Sequence, residues 1–505
     1  MMIREGLRGS RDKGELMTWL FLLACISLIE IEPPVGTQSV NPNPPQAQPP
    51  APIDIVAALE TVVADAIARA EPSVVAIHRV KGENPQETLA VRGKSRPQLF
   101  DPRVPRSRFS RDGELADQIS FDFGSGVVVG TEGQILTAYH VVKGASLLLV
   151  RAAERQQFEA EIIAADPRID LAVIVPVAIT GMPMPKLRPI PLGDSATLRK
   201  GSFLVALGNP FNAAQDGKPS ASWGILSNIA RKVAAEYDEM AMFRTRLNFP
   251  NYPTLLQLDS KLNLGMSGGA VINMKGELVG LTTMASSPAG FDAMAGYAIP
   301  MDRLGRRAVE TLKEGKEIEY GLLGIRAHPA STNRVEYVTP NSPAGQGQLQ
   351  ANDEILGVND IPVTDFDTLI LAINSYAPGD EVRLKIRRAE KELIKTVNLA
   401  KYPVDGDMIA TNRPPAWRGI RVDYLSTVSA RATGPPFLEP PSNGVVVSEI
   451  LDDSPAAKSG LKKFQVILQV EKTPVANPSQ FARAVAGLKG PVTLMTDQGP
   501  VKLAE

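Results

Sequence analysis

The sequence predicts a mainly β protein whose last third is a duplicated smaller domain. Three observations carry this. Between Phe123 and Ala298, short apolar runs alternate with Gly, Asn, Asp and Pro, the spacing of an all-β barrel or sandwich. Glycine (41) and proline (42) make up about 16% of the 505 residues, which suits a turn-rich, strand-rich body. Asn341–Val363 aligns without gaps to Asp453–Val475, with nine of 23 positions identical, which marks an internal repeat.

Composition narrows the function. At about 150 residues per domain, this length suggests about three domains. With 44% hydrophobic and 22% charged residues, wholesale disorder is excluded. Lys+Arg 54 against Asp+Glu 55 leaves a net charge of -1, so no global positive field would draw in a polyanion, and no nucleic-acid partner is expected. One Cys excludes an intrachain disulfide, and with only three His a Cys/His zinc site is nearly excluded too, since about four ligands, every Cys and His of the chain, would have to converge. No metal or cofactor is expected.

Residues 1–29 read as a targeting segment. Arg4, Arg8, Arg11 and Lys13 precede an apolar run from Leu16 to Ile29. As a helix that run rises about 21 Å, short of the ~30 Å hydrocarbon core, so it reads as a secretory signal and predicts export to the periplasm or cell envelope. Leu22-Leu23-Ala24-Cys25 also has the form of a lipoprotein signal, although Leu23 and the apolar Ile26–Ile29 fit it poorly. A cleaved signal and a membrane or lipid anchor therefore both stand. Residues 30–53, with eight prolines between Glu30 and Pro52, cannot bury a core and read as a tether.

Residues 54–316 read as the main domain. A helix opens at Asp54, with Ile55, Leu59, Val62, Val63, Ala66 and Ile67 on one face, and Pro72 ends it. Ser73–Val80 reads as a strand. Lys81–Ile119 carries Arg92, Lys94, Arg96, Arg103, Arg106, Arg108 and Arg111; a solvated loop is the plain reading, a regulatory or anion-contacting loop the alternative. Strands are expected at Gly126–Val129, Ser146–Val150, Leu171–Val175 and Phe203–Leu207. After Pro300 helical spacing returns in Leu304, Ala308, Val309 and Leu312, with Asp302 as cap and Gly315 as stop. The repeats, each about 85 to 90 residues, are expected at 317–403 and 416–505, with a linker at 404–415.

Three segments carry chemistry: Leu136-Thr137-Ala138-Tyr139-His140, Asp166-Pro167-Arg168-Ile169-Asp170 and Gly265-Met266-Ser267-Gly268-Gly269. A Ser hydroxyl is a weak nucleophile and needs a base in hydrogen-bond reach, for which His is suited. The His needs a carboxylate to fix its tautomer and stabilise its charged form. The Gly-rich turn leaves N–H groups of Gly265 and Ser267 to face an oxyanion. Each segment alone has a plain structural reading as a turn, cap or strand end; the order His140, Asp170, Ser267 on a β-rich background does not. The α/β-hydrolase elbow also matches Gly-x-Ser-x-Gly, but it needs a helix after the Ser and a His beyond it. Here a strand, Ala270-Val271-Ile272, follows, and the only later His is His328. His78, in the first strand, reads as structural.

These residues resemble the HtrA (Deg) family of trypsin-like serine proteases, from about Pro72 to the C-terminus. Gly124-Ser125-Gly126, Gly208-Asn209-Pro210-Phe211 and Gly296-Tyr297-Ala298-Ile299-Pro300 add to the likeness. The resemblance implies two six-stranded β-barrels, chymotrypsin-like, with the site in the cleft between them, and catalytic roles for His140, Asp170 and Ser267. It also implies homo-oligomers, trimers or multiples of them. Three features depart from the family: Met266 stands where Asn is usual, Asn212–Leu258 is longer, and Lys261 lies near the expected floor of the S1 pocket.

The repeats resemble PDZ domains. Gly321-Leu322-Leu323-Gly324-Ile325 and Trp417-Arg418-Gly419-Ile420 stand where that family holds a peptide's C-terminal carboxylate on backbone N–H groups, while the peptide adds a strand. The expected function is an exported serine endopeptidase acting on unfolded or damaged envelope proteins, with the PDZ domains binding peptide ends and regulating activity. The alternatives are a non-catalytic chaperone or scaffold on the same fold, and a polyanion binder using the basic loop.

Overall fold

Alternating apolar residues close two separate barrels. The computed structural model describes residues 52–81, 123–210 apart from 180 and 182, 216–231, 254–286, 295–327, 333–403, 408–429 and 443–505. Six strands form the first barrel: β1 (Val74–Lys81), β2 (Phe123–Val128), β3 (Ile135–Ala138), β4 (Ala145–Ala152), β5 (Gln156–Asp166) and β6 (Leu171–Pro176). They pair in the order β5–β4–β1–β2–β3–β6, and β5 returns to pair with β6. The second barrel, β7 (Phe203–Gly208), β8 (Ser220–Arg231), β9 (Leu255–Leu258), β10 (Ala270–Ile272), β11 (Leu278–Ser286) and β12 (Ala295–Pro300), closes in the order β10–β11–β12–β9–β8–β7.

Strand alternation sends neighbouring side chains to opposite faces. Val75 and Ile77 point into the first barrel with Val128, Ile135, Leu148 and Ile174. Val74, which precedes Val75 and so faces the other way, joins the other large core, with Leu136, Leu171, Val205 and Leu207. Leu204, Leu226, Leu256, Val271 and Val279 fill the second barrel. Burying each such side chain contributes about 1.5–3 kcal/mol.

Helix α1 (Pro52–Ala70) buries a narrower stripe than its sequence pattern offers. Ala66 and Ala70 are fully buried, with Val63 and Ile67 packed against the same core, whereas Ile55 and Val62 are exposed. Helix α2 (Tyr139–Val142) is a single turn after β3. Helix α3 (Arg303–Lys313) follows the expected pattern: the Asp302 carboxylate accepts from Gly305 N–H, the predicted stripe is buried, and Gly315 adopts φ 73° just beyond its end.

The described residues from Val56 to Glu505 form one unit; of the unit Met1–Ile55, only the first turn of α1 is described. Next come β13 (Gly321–Leu322), β14 (Ile325–Ala327), β15 (Val335–Val338), β16 (Glu354–Val358), β17 (Ile361–Pro362), β18 (Glu381–Arg388), β19 (Lys391–Asn398) and β20 (Ala400–Lys401), with β13 paired to β20 and β17–β16–β18–β19 in one sheet. The final sheet holds β22 (Ile420–Tyr424), β23 (Val445–Ile450), β24 (Val466–Val470), β25 (Thr473–Pro474), β26 (Val492–Thr496) and β27 (Gly499–Leu503). Between these two bodies β21 (Ile409–Ala410) adds to the edge of β5, in register with Ala165 and Ala164.

The repeated sequence builds the same contact twice. Ser342 and Ser454 each cap a short helix begun by a proline. A Cβ on Gly324 would sit 2.2 Å from Cβ of Ser342, and one on Gly419 would sit 2.1 Å from Cβ of Ser454. Only glycine lets the loop lie on the cap. Among the described residues no helix is long and apolar enough to cross a membrane. The targeting segment, most of the tether, the 82–119 part of the basic loop, Phe211, His328 and much of the 212–258 segment lie outside the described residues.

Candidate active site

Register brings the first two residues together. β3 pairs with β6 so that Ala138 faces Leu171, which places Tyr139 and His140 beside Asp170. Asp170 then holds the next turn by backbone and side chain. Its carbonyl accepts from Tyr139 N–H (2.9 Å), and its Oδ1 accepts from His140 N–H (2.9 Å). Its Oδ2 lies 2.8 Å from His140 Nδ1 and accepts from Thr283 Oγ1 at 2.6 Å. Asp170 itself adopts φ 55°, a left-handed conformation that Asp tolerates better than most residues.

The imidazole is half-exposed. Burial disfavours its charged form, but the hydrogen bond and the charge of Asp170 outweigh that and hold its pKa above 6.5; the Arg79 charge opposes them. Arg79 is buried and donates to the carbonyls of His140 (3.0 Å) and Lys143 (2.9 Å), so it fixes the backbone that carries the imidazole.

Ser267 comes from the turn between β9 and β10. Its carbonyl accepts from Ser125 N–H of β2 (2.8 Å), which ties this turn to the first barrel. Ser125 Oγ donates to Gly265 O (2.7 Å) and accepts from Asn209 N–H (2.8 Å). Thus the Gly124-Ser125-Gly126 and Gly208-Asn209 motifs both grip the nucleophile turn. A Cβ on Gly268 would lie 2.2 Å from Ser125 O, and one on Gly265 (φ 92°) 2.4 Å from Asn209 O. The turn can approach this closely only as glycine.

Ser267 Oγ donates to the Thr283 carbonyl (2.9 Å). Among the described residues no hydrogen bond joins it to His140. The structure therefore brings His140 and Asp170 into direct contact, with Thr283 touching Asp170 through its hydroxyl and Ser267 through its carbonyl.

Backbone donors in the turn divide into two sets. Met266 N–H donates to Asn263 O, Gly268 N–H to Thr282 O, and Gly269 N–H to Met266 O. Among the described residues, the N–H groups of Gly265 and Ser267 donate to nothing, which is the donor pair an oxyanion requires. Met266 is buried against Ala206 and Leu262, so the residue in place of the family's Asn packs inward. Lys261 is exposed, while its neighbour Leu262 is buried and would touch a Cβ on Gly296. His78 lies in β1 opposite Phe123.

The two glycine loops of the repeats share one hydrogen-bond plan. Leu323 O accepts from Ala344 N–H and Gly324 O from Thr339 N–H; Arg418 O accepts from Ala456 N–H and Gly419 O from Leu451 N–H. Among the described residues, the N–H groups of Leu323, Gly324, Arg418 and Gly419 have no acceptor. Leu322 pairs with Ala400 and Ile325 with Val338, whereas Ile420 closes a turn with Trp417. Arg418 reaches the carbonyl of Ala504 (2.7 Å) and covers the Trp417 ring.

Sequence reasoning missed Thr283 and Arg79. Thr283 lies in a Thr-rich stretch of β11 that resembles any strand, and Arg79 reads as an ordinary strand charge.

Residues 124–281 match the family model of the trypsin-like peptidase domain, and residues 321–399 match that of the PDZ domain. The chain is 30% identical over 390 residues to the periplasmic serine endoprotease DegP of Salmonella typhimurium, covering 74% of each chain. It is 29% identical over 448 residues to the periplasmic pH-dependent serine endoprotease DegQ of Escherichia coli, covering 85% of this chain and 87% of that one. A solved structure, the HtrA-type protease AlgW with decapeptide, is 24% identical, with a TM-score of 0.45, over 68% of this chain and 99% of that one.

Proposed function

Because this chain belongs to the HtrA/Deg family of trypsin-like serine endopeptidases, we propose that Ser267, His140 and Asp170 carry out its peptide-bond hydrolysis and that its substrates are unfolded or damaged proteins of the cell envelope. The observation that carries the reading is the Asp170–His140 pair, linked through Thr283 to a nucleophile turn whose Gly265 and Ser267 N–H groups have no acceptor among the described residues.

The reaction follows from these groups. Rotation about the Cα–Cβ bond of Ser267 exchanges the Thr283 carbonyl for His140 Nε2. Ser267 Oγ then attacks the scissile carbonyl carbon as His140 takes its proton. The negative oxygen of the tetrahedral intermediate accepts from Gly265 and Ser267 N–H, and His140 returns the proton to the leaving amine. Water attacks the acyl-enzyme by the same route. Asp170 keeps the Nδ1 proton in place, leaving Nε2 as acceptor, and stabilises the imidazolium. Lys261, at the expected S1 floor and exposed, bears on the P1 choice.

The domain plan of this reading is a targeting or anchoring segment at 1–29, a tether at 30–53, a protease domain at 54–316, and PDZ domains at 317–403 and 416–505 joined by 404–415. The periplasmic relatives support export to the periplasm. In the PDZ domains, the unspent N–H groups of Leu323, Gly324, Arg418 and Gly419 would hold a peptide carboxylate, and Leu322, Ile325 and Ile420 would flank it as the peptide adds a strand. Homo-oligomers are supported by Phe203 and Trp223, 43% and 49% exposed with ring centroids 5.4 Å apart, an aromatic surface that association would cover.

The reading is tested by digesting one protein in its folded and denatured forms and identifying products by mass spectrometry. Internal cleavage of the denatured form alone is expected, because a protease cleft takes an extended strand. Cleavage of neither form would overturn the reading, and equal cleavage of both would overturn the assigned substrate class.

A further inference from the structure

We infer that Asp166, Arg168 and Tyr320 form a positioning cluster that holds the turn presenting Asp170, so that the connector leading to the first PDZ domain helps set the catalytic geometry. The inference rests on the proposed role of Asp170. Asp166 ends β5, Asp170 precedes β6, and the turn between them is the segment to be fixed. Asp166 is 0% exposed, and a buried carboxylate is costly unless it is paired and hydrogen-bonded. Its Oδ1 accepts from Arg168 N–H (2.9 Å) and Nε (2.8 Å), and its Oδ2 accepts from an Arg168 guanidinium N–H (2.7 Å).

The remaining partners come from outside the turn. Tyr320 Oη donates to Asp166 Oδ2 at 3.0 Å, Arg168 donates to Ile318 O at 2.9 Å, and the guanidinium lies 4.4 Å from the Tyr320 ring centroid. Tyr320 is also 0% exposed, and burial beside Asp166 pushes its phenol far above 10, so it stays a donor. Residue 320 directly precedes Gly321, where the first PDZ loop begins, and Tyr320 O accepts from Tyr402 N–H (2.8 Å). The left-handed Asp170 persists only where its surroundings over-determine it. The two ends of this turn are fixed by different bodies, His140 at one and the connector at the other.

The test is Tyr320→Phe, which deletes one donor to Asp166 while keeping the ring over Arg168. The groups facing His140 are Asp170 from the turn and Arg79 from β1, with Thr283 behind Asp170; the further charges near the cluster are Glu317 and Arg307. Loosening Asp170 weakens what raises the His140 pKa. Tyr320→Phe is therefore expected to lower kcat roughly fivefold with KM within about twofold. The acid limb of kcat should move down by about half a pH unit. The His140 titration followed by NMR, which needs no turnover, should move the same way. A folded variant with unchanged kcat and titration would overturn the inference. So would a lower kcat with an unmoved titration, the mark of a merely structural effect. Arg168→Lys provides the same test if Tyr320→Phe does not fold. A wild-type protein without peptidase activity would instead overturn the catalytic reading, and the titration would still report on the positioning.

Discussion

Ser267→Ala is expected to lower turnover of a denatured protein by about 10⁴- to 10⁶-fold. Only the hydroxyl is lost, and among the described residues its hydrogen bond goes to the Thr283 carbonyl. Thr283 Oγ1 keeps its bond to Asp170, and Gly265 and Ser267 keep their backbone donors. The variant should therefore fold as the wild type does and bind the same substrates. Turnover falls because no covalent acyl intermediate can form; what remains over water comes from the oxyanion donors and substrate binding. The check is a denatured-substrate digest with both proteins, alongside thermal unfolding. Equal cleavage by the variant would show that another group is the nucleophile.

Asp170→Asn should cost about 10⁴-fold in kcat. An Asn amide facing His140 Nδ1 donates rather than accepts, so the ring proton moves to Nε2, where Ser267 needs an acceptor. The His140 N–H bond to Oδ1 can survive, so loss of activity is expected without loss of fold. The pH dependence gives a second readout. In the wild type the raised His140 pKa means that activity is lost on acidification with a midpoint above 6.5, because the base must be neutral to accept a proton. In the variant the charge and the accepting oxygen of the carboxylate are lost while burial and the Arg79 charge remain, and both favour the neutral ring. The acid limb should move to lower pH. Near-wild-type kcat, or a limb moving upward, would remove Asp170 from its assigned role.

Much of this site could be read before the fold was known, for a physical reason. His140, Asp170 and Ser267 each sit in a segment whose local chemistry is distinctive, and glycines mark where backbone must approach backbone. Gly265 and Gly268 are explained by contacts with Asn209 and Ser125 that no other residue would permit. The repeat was legible because its identical Ser342 and Ser454 perform one capping task twice. Other parts depend on contacts between distant segments and leave no periodic trace. Thr283 reaches Asp170 across 113 residues, and Tyr320 reaches Asp166 across 154. β21 is only two residues long, too short to show alternation, yet it extends the sheet of the first barrel. The stripe on α1 looked wider than it is because periodicity marks an apolar face without saying how much of it finds a partner.

The central claim is that Ser267 becomes a nucleophile when it turns from the Thr283 carbonyl to His140. The most direct measurement is reaction with a fluorophosphonate, mapped by mass spectrometry, with and without a peptide that could engage the PDZ loops. One adduct, on Ser267 and absent from His140→Ala, is the predicted result. No adduct on Ser267 under either condition, in a protein that still binds denatured polypeptide, would contradict it and leave the cleft as a binding surface of a non-catalytic chaperone.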